Sequence, residues 1–261
     1  DFNSGKTSLI NALLRKVALH DSRLESKALP TFLSVGSTDT PVYSALSTET
    51  LKAVAKTQEE FLVINKEIPE GKPYKALAAR IPNIPFSKLV FVDTAGTSTD
   101  STETMQLIGL SDANQALVVM VTDIEYWSAR HTMESIALHS EQFGDRLIVV
   151  ANKADHINAN EIQRIKDKAC KRMEDFGIAT LPRFFALSAR LESARLQPHN
   201  EYRNRNKKAV RTQCDAAFDA LRVALYEFET RHTQPGASSD FDAIYQAPLA
   251  ASLINLQEGC Y

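Results

Sequence analysis

Cysteine is scarce in this chain: Cys170, Cys214 and Cys260 are its three cysteines in 261 residues, widely spaced and odd in number. That pattern excludes a disulfide scaffold and a clustered cysteine metal site, and it fits a reducing compartment, with the cytoplasm as the default. Long apolar runs are also missing. None approaches the roughly 20 residues that a membrane-crossing helix needs, so no transmembrane anchor is expected. Neither sign of charge is in excess: 30 Lys and Arg against 32 Asp and Glu leave a net charge of −2 at pH 7. This gives no global argument for nucleic-acid binding, and none is expected. The six histidines fall at no metal-binding spacing, and there is no internal repeat or low-complexity tract. The remainder is 44% hydrophobic and 24% charged, enough for one substantial core, or one core plus an appendage.

What is there begins at once. Asp1-Phe2-Asn3-Ser4-Gly5-Lys6-Thr7 is all of the phosphate-binding pattern G-x-x-x-x-G-K-[ST] except its first glycine. That glycine, and a first strand before it, are expected immediately ahead of Asp1. Backbone N–H groups from Asn3 through Ser8 are placed to cradle phosphates, Lys6 to meet the outer ones, and the Thr7 hydroxyl to ligate magnesium. A Gly-Lys-Thr that merely opens a surface helix is the competing reading.

Hydrophobic spacing organises the rest. Residues 7–16 read as the helix after the loop, with Leu9, Ile10, Leu13, Leu14 and Val17 on its apolar face. Residues 28–41, with Pro30, Gly36, Pro41 and many serines and threonines, read as irregular backbone and a switch candidate. Residues 48–64 read as an inserted helix. Continuous apolar runs at 89–92, 116–121 and 147–150, and a shorter one at 183–187, read as strands covered on both faces. Helices are expected at 128–143, from the Asn158 cap with Glu161 through Met173, and at 201–232, where Ala217, Leu221, Ala224, Leu225 and Phe228 form the buried stripe. The expected fold is α/β: a doubly wound, mostly parallel sheet with helices on both faces. Residues 1–232 form the main domain, and the break at 234–239 leaves 233–261 as linker and C-terminal segment.

Chemistry follows the strand ends. Asp93-Thr94-Ala95-Gly96 follows the run 89–92; a carboxylate there suits a magnesium-bound water, and the Gly96 N–H can sense a terminal phosphate. Asn152-Lys153-Ala154-Asp155 follows 147–150. Asp155 can accept from the guanine N1–H and 2-amino group, a donor pair that adenine lacks, while the Lys153 stem covers the base. Ser188-Ala189-Arg190 closes the series, where the Ala189 N–H can meet the guanine carbonyl oxygen. Each motif alone also reads as an ordinary turn or helix cap.

Their order resembles the translation-factor-related class of regulatory GTPases over about residues 1–230. The separation of 87 positions from Lys6 to Asp93, and Ser4-Gly5-Lys6-Thr7-Ser8-Leu9-Ile10-Asn11-Ala12-Leu13-Leu14, resemble the GTPase domain of the dynamin superfamily, its bacterial members in particular. Ala95, where dynamins usually carry proline, is similar to Era-like GTPases instead and keeps that alternative open. The resemblance implies GTP and GDP as ligands, with Mg2+ held by Thr7, Asp93 and a switch threonine, Thr40 in preference to Thr38. It implies a nucleotide-dependent homodimer and action at membranes as a cytoplasmic or peripheral membrane protein. No glutamine follows Gly96; the resemblance instead puts Asn3 where a K+ or Na+ ion is bound, although a loop asparagine kept for its backbone geometry is an equal reading. An Era-like GTPase acting on ribosome or RNA, and a GTP-holding scaffold with negligible turnover, are the other readings. The cluster Arg203, Arg205, Lys207, Lys208 and Arg211 reads as a solvated face.

Overall fold

The computed structural model describes residues 4–19, 29–50, 52–66, 71, 73–94, 117–196 and 208–232. In chain order its first elements are α1 (Lys6–Leu14), β1 (Thr31–Val35), β2 (Val42–Ser47), β3 (Ala53–Lys56), α2 (Gln58–Lys66), β4 (Tyr74–Ile81) and β5 (Phe91–Asp93). They are followed by β6 (Val118–Asp123), α3 (Arg130–Phe143), β7 (Leu147–Asn152), α4 (Ala159–Asp175), β8 (Arg183–Ala186), α5 (Ala189–Leu196) and α6 (Lys208–His232). The chain divides into two compact units, Asp1–Val17 with Leu117–Phe228, and Ala18–Ala116 with Glu229–Tyr261.

The first unit holds a parallel sheet in the order β6-β7-β8. Every residue of β7 is buried, which requires cover on both faces and explains why its sequence is unbroken apolarity rather than alternation. α3 packs on β6 and β7, α4 on β8, and α1 on α5. This is the α/β architecture expected from the sequence, a parallel sheet flanked by helices. Asn158 caps α4 by accepting from the Glu161 N–H at 3.0 Å, as the Asn-x-x-Glu spacing anticipates. The stripe of α6 is buried at Ala217, Leu221, Ala224 and Leu225, while Phe228 is only half-buried.

A buried ion pair ties three helices of this unit together. The Arg222 guanidinium on α6 donates to Glu192 Oε1 on α5 at 2.7 Å and reaches the Ala12 carbonyl of α1 at 3.4 Å. It also lies over the Phe218 ring, 4.7 Å from its centroid. Arg222 and Glu192 are both almost wholly enclosed and are each other's nearest charge, at 2.7 Å; the more open Asp219 and Arg195 add longer contacts, to Arg222 at 3.3 Å and to Glu192 at 3.4 Å.

The second unit is built on a mixed sheet, β3-β2-β4-β1-β5, in which only the β1–β4 pair is parallel. Phe32, Leu46, Ala76 and Ala78 form one core cluster with Val90 and Val92 against it, and Phe86 meets Phe91 at 5.2 Å. Glu229, at the end of α6, accepts from the Lys88 N–H at 2.6 Å.

Three expectations fail in detail here. The segment 28–41 is not irregular throughout: Thr31–Val35 is a strand paired on both sides, by β4 and β5, and Pro30 and Gly36 mark its ends. The helix expected over 48–64 is an edge strand, β3, followed by α2. Its true start is a reciprocal box, the Thr57 N–H donating to Glu60 Oε2 at 2.8 Å and the Glu60 N–H to Thr57 Oγ1 at 3.2 Å. Val54 and Ala55, which fall at helical spacing, are strand residues that pair across to β2; Leu51 lies outside the described residues. Val17, expected on the apolar face of α1, lies beyond the helix end and is exposed. Residues 201–207 and 233–261, with the expected helix start, three of the five basic cluster residues (Arg203, Arg205 and Lys207) and the linker, lie outside the described residues. Among the described residues no helix is long and apolar enough to cross a membrane.

The buried pair gives a direct test of how this unit is held. Glu192→Gln keeps the shape and strips the charge that compensates Arg222, and the expected loss is about 3 kcal/mol of unfolding free energy in urea titrations followed by circular dichroism. Replacing Arg222 and Glu192 together with Met and Leu loses less, because no charge is then left buried alone.

Candidate functional site

Three of the sequence motifs meet at one edge of the parallel sheet. In register, Asp123 lies beside Asn152 and Ala151 beside Ala186, so the carboxyl ends of β6, β7 and β8 open on the same side. That is where ligands bind in open α/β sheets. Backbone bonds lock the segments that leave these ends: the Leu187 N–H donates to Ala151 O and the Ala154 N–H to Leu187 O, both at 3.0 Å.

Asn152 joins the motifs. Its Oδ1 accepts from the Ala189 N–H at 3.0 Å, and its Nδ2 donates to Ser4 O at 2.9 Å with a longer reach of 3.5 Å to Gly5 O. The side chain is buried, so both ends of the amide are spent on the two loops it separates. A carboxylate or an apolar group at this position offers only one of these functions or neither. Gly5 has φ +81°, and a Cβ built there falls 2.5 Å from Asn152 Nδ2. The glycine is therefore required twice, for its left-handed backbone and for the approach of the amide.

Gly5 also caps α1 without a side chain and so supplies no side-chain acceptor for the helix's first turn. The first-turn residues Lys6, Thr7 and Ser8 are half-buried. Ser4 Oγ is enclosed with no hydrogen-bond partner among the described residues. A helix N-terminus carrying Lys and Thr, preceded by a buried hydroxyl, suits an anion with several oxygens, and the donor set fits phosphate.

Asp155 and Ser188 form the second link. The Ser188 hydroxyl donates to Asp155 Oδ1 at 2.5 Å and accepts from the Leu191 N–H at 3.1 Å, so one serine caps α5 and orients the carboxylate. The Asp155 carboxylate is only 1% exposed, with the more open His156 imidazole 3.8 Å from its other oxygen. Lys153 sits at φ +64°, and its ammonium lies 2.7 Å from Asp123 Oδ2. Beneath these loops the Cys214 thiol is pushed up to about 12, chiefly by burial and then by the Asp155 charge. It is an inert core group rather than a nucleophile. Arg190 points outward and is exposed.

The remaining predicted residues belong to the second unit or lie outside the described residues. Asp93 ends β5 and is buried. Thr38 and Thr40 are exposed before β2, and the Thr38 hydroxyl donates to Thr40 O at 2.8 Å. Asn3 and Gly96 are outside the described residues. Sequence reasoning missed Asp123, although its signal was present: a carboxylate closing an apolar run, the same cue that singled out Asp93. Trp127 packs edge-on against Phe184 at 5.3 Å while Tyr126 is exposed, so of the pair only the tyrosine faces solvent.

Comparison with known proteins adds the family. The model of the Dynamin family matches residues 1–154. Two solved structures, each of an oligomerised bacterial dynamin pair described as providing a mechanism for long-range sensing and tethering of membranes, share the fold. Both superpose with a TM-score of 0.59, at 14% and 16% identity, over 99% and 98% of this chain. The chain spans 40% of the length of each of those structures. No curated protein matches it.

Removing the Asn152 amide leaves the Ala189 N–H and the Ser4 carbonyl without their shared partner. Asn152→Ala is expected to cost about 3 kcal/mol in urea unfolding, one buried orphan at each end. Asn152→Asp retains the acceptor toward Ala189 but sets a carboxylate against the Ser4 carbonyl, and recovers little of that loss.

Proposed function

This chain belongs to the dynamin family, and on that premise we propose that residues 1–232 form a GTPase domain that binds Mg-GTP and hydrolyses it to GDP and phosphate by attack of water. The observation that carries this reading is the pair of hydrogen bonds made by Asn152, which joins the proposed phosphate loop at Ser4 to the proposed base-reading loop at Ala189. Besides stabilising the fold, such a strut sets the spacing of the two loops, and a guanine nucleotide has phosphates for one and a base for the other.

The roles follow from chemistry. Lys6 offsets the charge of the outer phosphates, and the amides from Asn3 to Ser8 cradle them. Thr7, Thr40 and Asp93 are hard oxygen donors of the kind magnesium takes, and the bound ion supplies neutralisation of charge on the phosphate oxygens. Thr40 is preferred because the Thr38 hydroxyl is already turned to the Thr40 carbonyl. Gly96 offers its N–H to the terminal phosphate. Lys153 and Asp155 take the base, and Asp155 selects guanine by accepting from N1–H and the 2-amino group; Asn152, Ser188, Ala189 and Arg190 frame these loops, with the Ala189 N–H bonded to Asn152 Oδ1 rather than turned to a guanine carbonyl. Asn3 takes the place of the missing water-orienting glutamine by helping to hold K+ or Na+ beside the phosphates, where charge develops in phosphoryl transfer.

At the level of the whole protein we extend the reading to a peripheral, cytoplasmic GTPase that dimerises with nucleotide and acts on membranes. The support is family membership and the two bacterial dynamin structures, whose own description is of membrane sensing and tethering.

Purified protein is expected to release phosphate steadily from GTP, and Lys6→Ala to reduce that rate at least about a hundredfold. The same variant in the full-length protein is expected to lose GTP-dependent co-sedimentation with liposomes. A wild type without turnover sinks the enzyme reading, and turnover without liposome binding sinks the membrane one. Hydrolysis is further expected to be faster in potassium or sodium than in caesium buffer, with Asn3→Ala abolishing the difference; rates independent of the cation rule Asn3 out.

A further inference from the structure

The end of β6 carries a carboxylate that no motif accounts for. Asp123 stands in register beside Asn152, at the same carboxyl edge of the sheet. Its Oδ2 lies 2.7 Å from the Lys153 ammonium. Its Oδ1 accepts from the Glu125 N–H at 3.0 Å, and its carbonyl accepts from the Tyr126 N–H at 3.0 Å. The next residue, Ile124, donates its N–H to Asn152 O at 2.8 Å. The carboxylate is thus fixed by the turn it opens, and that turn is bonded to the strand that delivers Lys153.

Resting on the reading of residues 152–155 as the base-binding segment, we propose that Asp123 is a positioning residue for guanine-nucleotide binding that acts through Lys153. With its ammonium held by Asp123, Lys153 presents its four-carbon stem, an apolar surface of the kind that covers the face of a base. A lysine stem left free samples many rotamers and loses that freedom on binding; the ion pair removes most of that loss in advance. The pair is also shielded, with Asp123 14% and Lys153 28% exposed at their side chains, so it is screened less than a surface pair. A stem covers a face and does not read an edge. Asp123 therefore governs how tightly a purine is held, and Asp155 which purine is chosen.

Asp123→Asn separates these roles, because its Oδ1 still accepts from the Glu125 N–H while the charge facing Lys153 is gone. The dissociation constants of N-methylanthraniloyl-labelled GDP and IDP are measured for wild type, Asp123→Asn, Lys153→Ala and the double variant, with Tm for each. Asp123→Asn is expected to weaken both nucleotides by about tenfold and in the same proportion, with Tm within about 2 °C of wild type. The double variant is expected to bind no more weakly than Lys153→Ala alone. Binding of Asp123→Asn equal to wild type, or a double variant that loses the full product of the two single losses, overturns the inference while leaving the guanine site intact. A wild type that binds neither nucleotide overturns the base-binding reading and this inference with it.

Discussion

The first unit depends on one primary amide. Asn152 stands at the carboxyl end of β7, the central strand of the parallel sheet, and its two polar atoms face opposite loops. Because an amide donates at one end and accepts at the other, it can join a carbonyl of the segment before α1 to the first N–H of α5. Burial makes the arrangement obligatory, since a buried polar atom left without a partner costs about as much as such a bond contributes, or more. Gly5 follows from this constraint. Any side chain at that position meets the Asn152 amide before it meets anything else.

Around that amide the other links join neighbouring segments, and one of them belongs to a ring of four charges, Glu192, Arg195, Asp219 and Arg222. Ser188 orients Asp155 and caps α5 with a single hydroxyl. Asp123 holds Lys153 from the neighbouring strand. Arg222 holds Glu192 and reaches the last turn of α1. The result is that α1 is held at both ends, by Asn152 through the loop before it and by Arg222 at Ala12 in its last turn, and α5 at its first turn, by Asn152 at Ala189 and by Arg222 at Glu192. Rigid placement of the two loops is what a site that grips a ligand at two distant points requires.

Much of this was legible in the residues. The strand β7 announces itself as an unbroken apolar run, because a parallel strand buried on both faces has no polar side to display; β6 and β8 carry similar runs, although most of their residues are half-buried rather than buried on both faces as expected. Asn158 with Glu161 marks the start of α4, and Asn152, Asp155 and Ser188 stand directly after strand ends where ligand chemistry collects. The second unit reads less well. Its sheet is mostly antiparallel, and short strands such as Ala53–Lys56 carry no apolar run, since an edge strand faces solvent. Thr31–Val35 is flanked by Pro30 and Gly36, and those residues signal an end of a strand as readily as a loop; only pairing by β4 and β5 distinguishes the two.

The sequence by itself determined the class of the fold, the order of the motifs and the chemistry each can perform, because those depend on local spacing and on which atoms a side chain carries. It could not determine partnership. That Asn152 serves Ser4 and Ala189, that Asp123 takes the Lys153 ammonium, and that Arg222 finds Glu192 are facts about residues 30 or more positions apart. Only the register of parallel strands and the packing of helices on them bring such groups within 3 Å, and no local pattern in the chain records that distance.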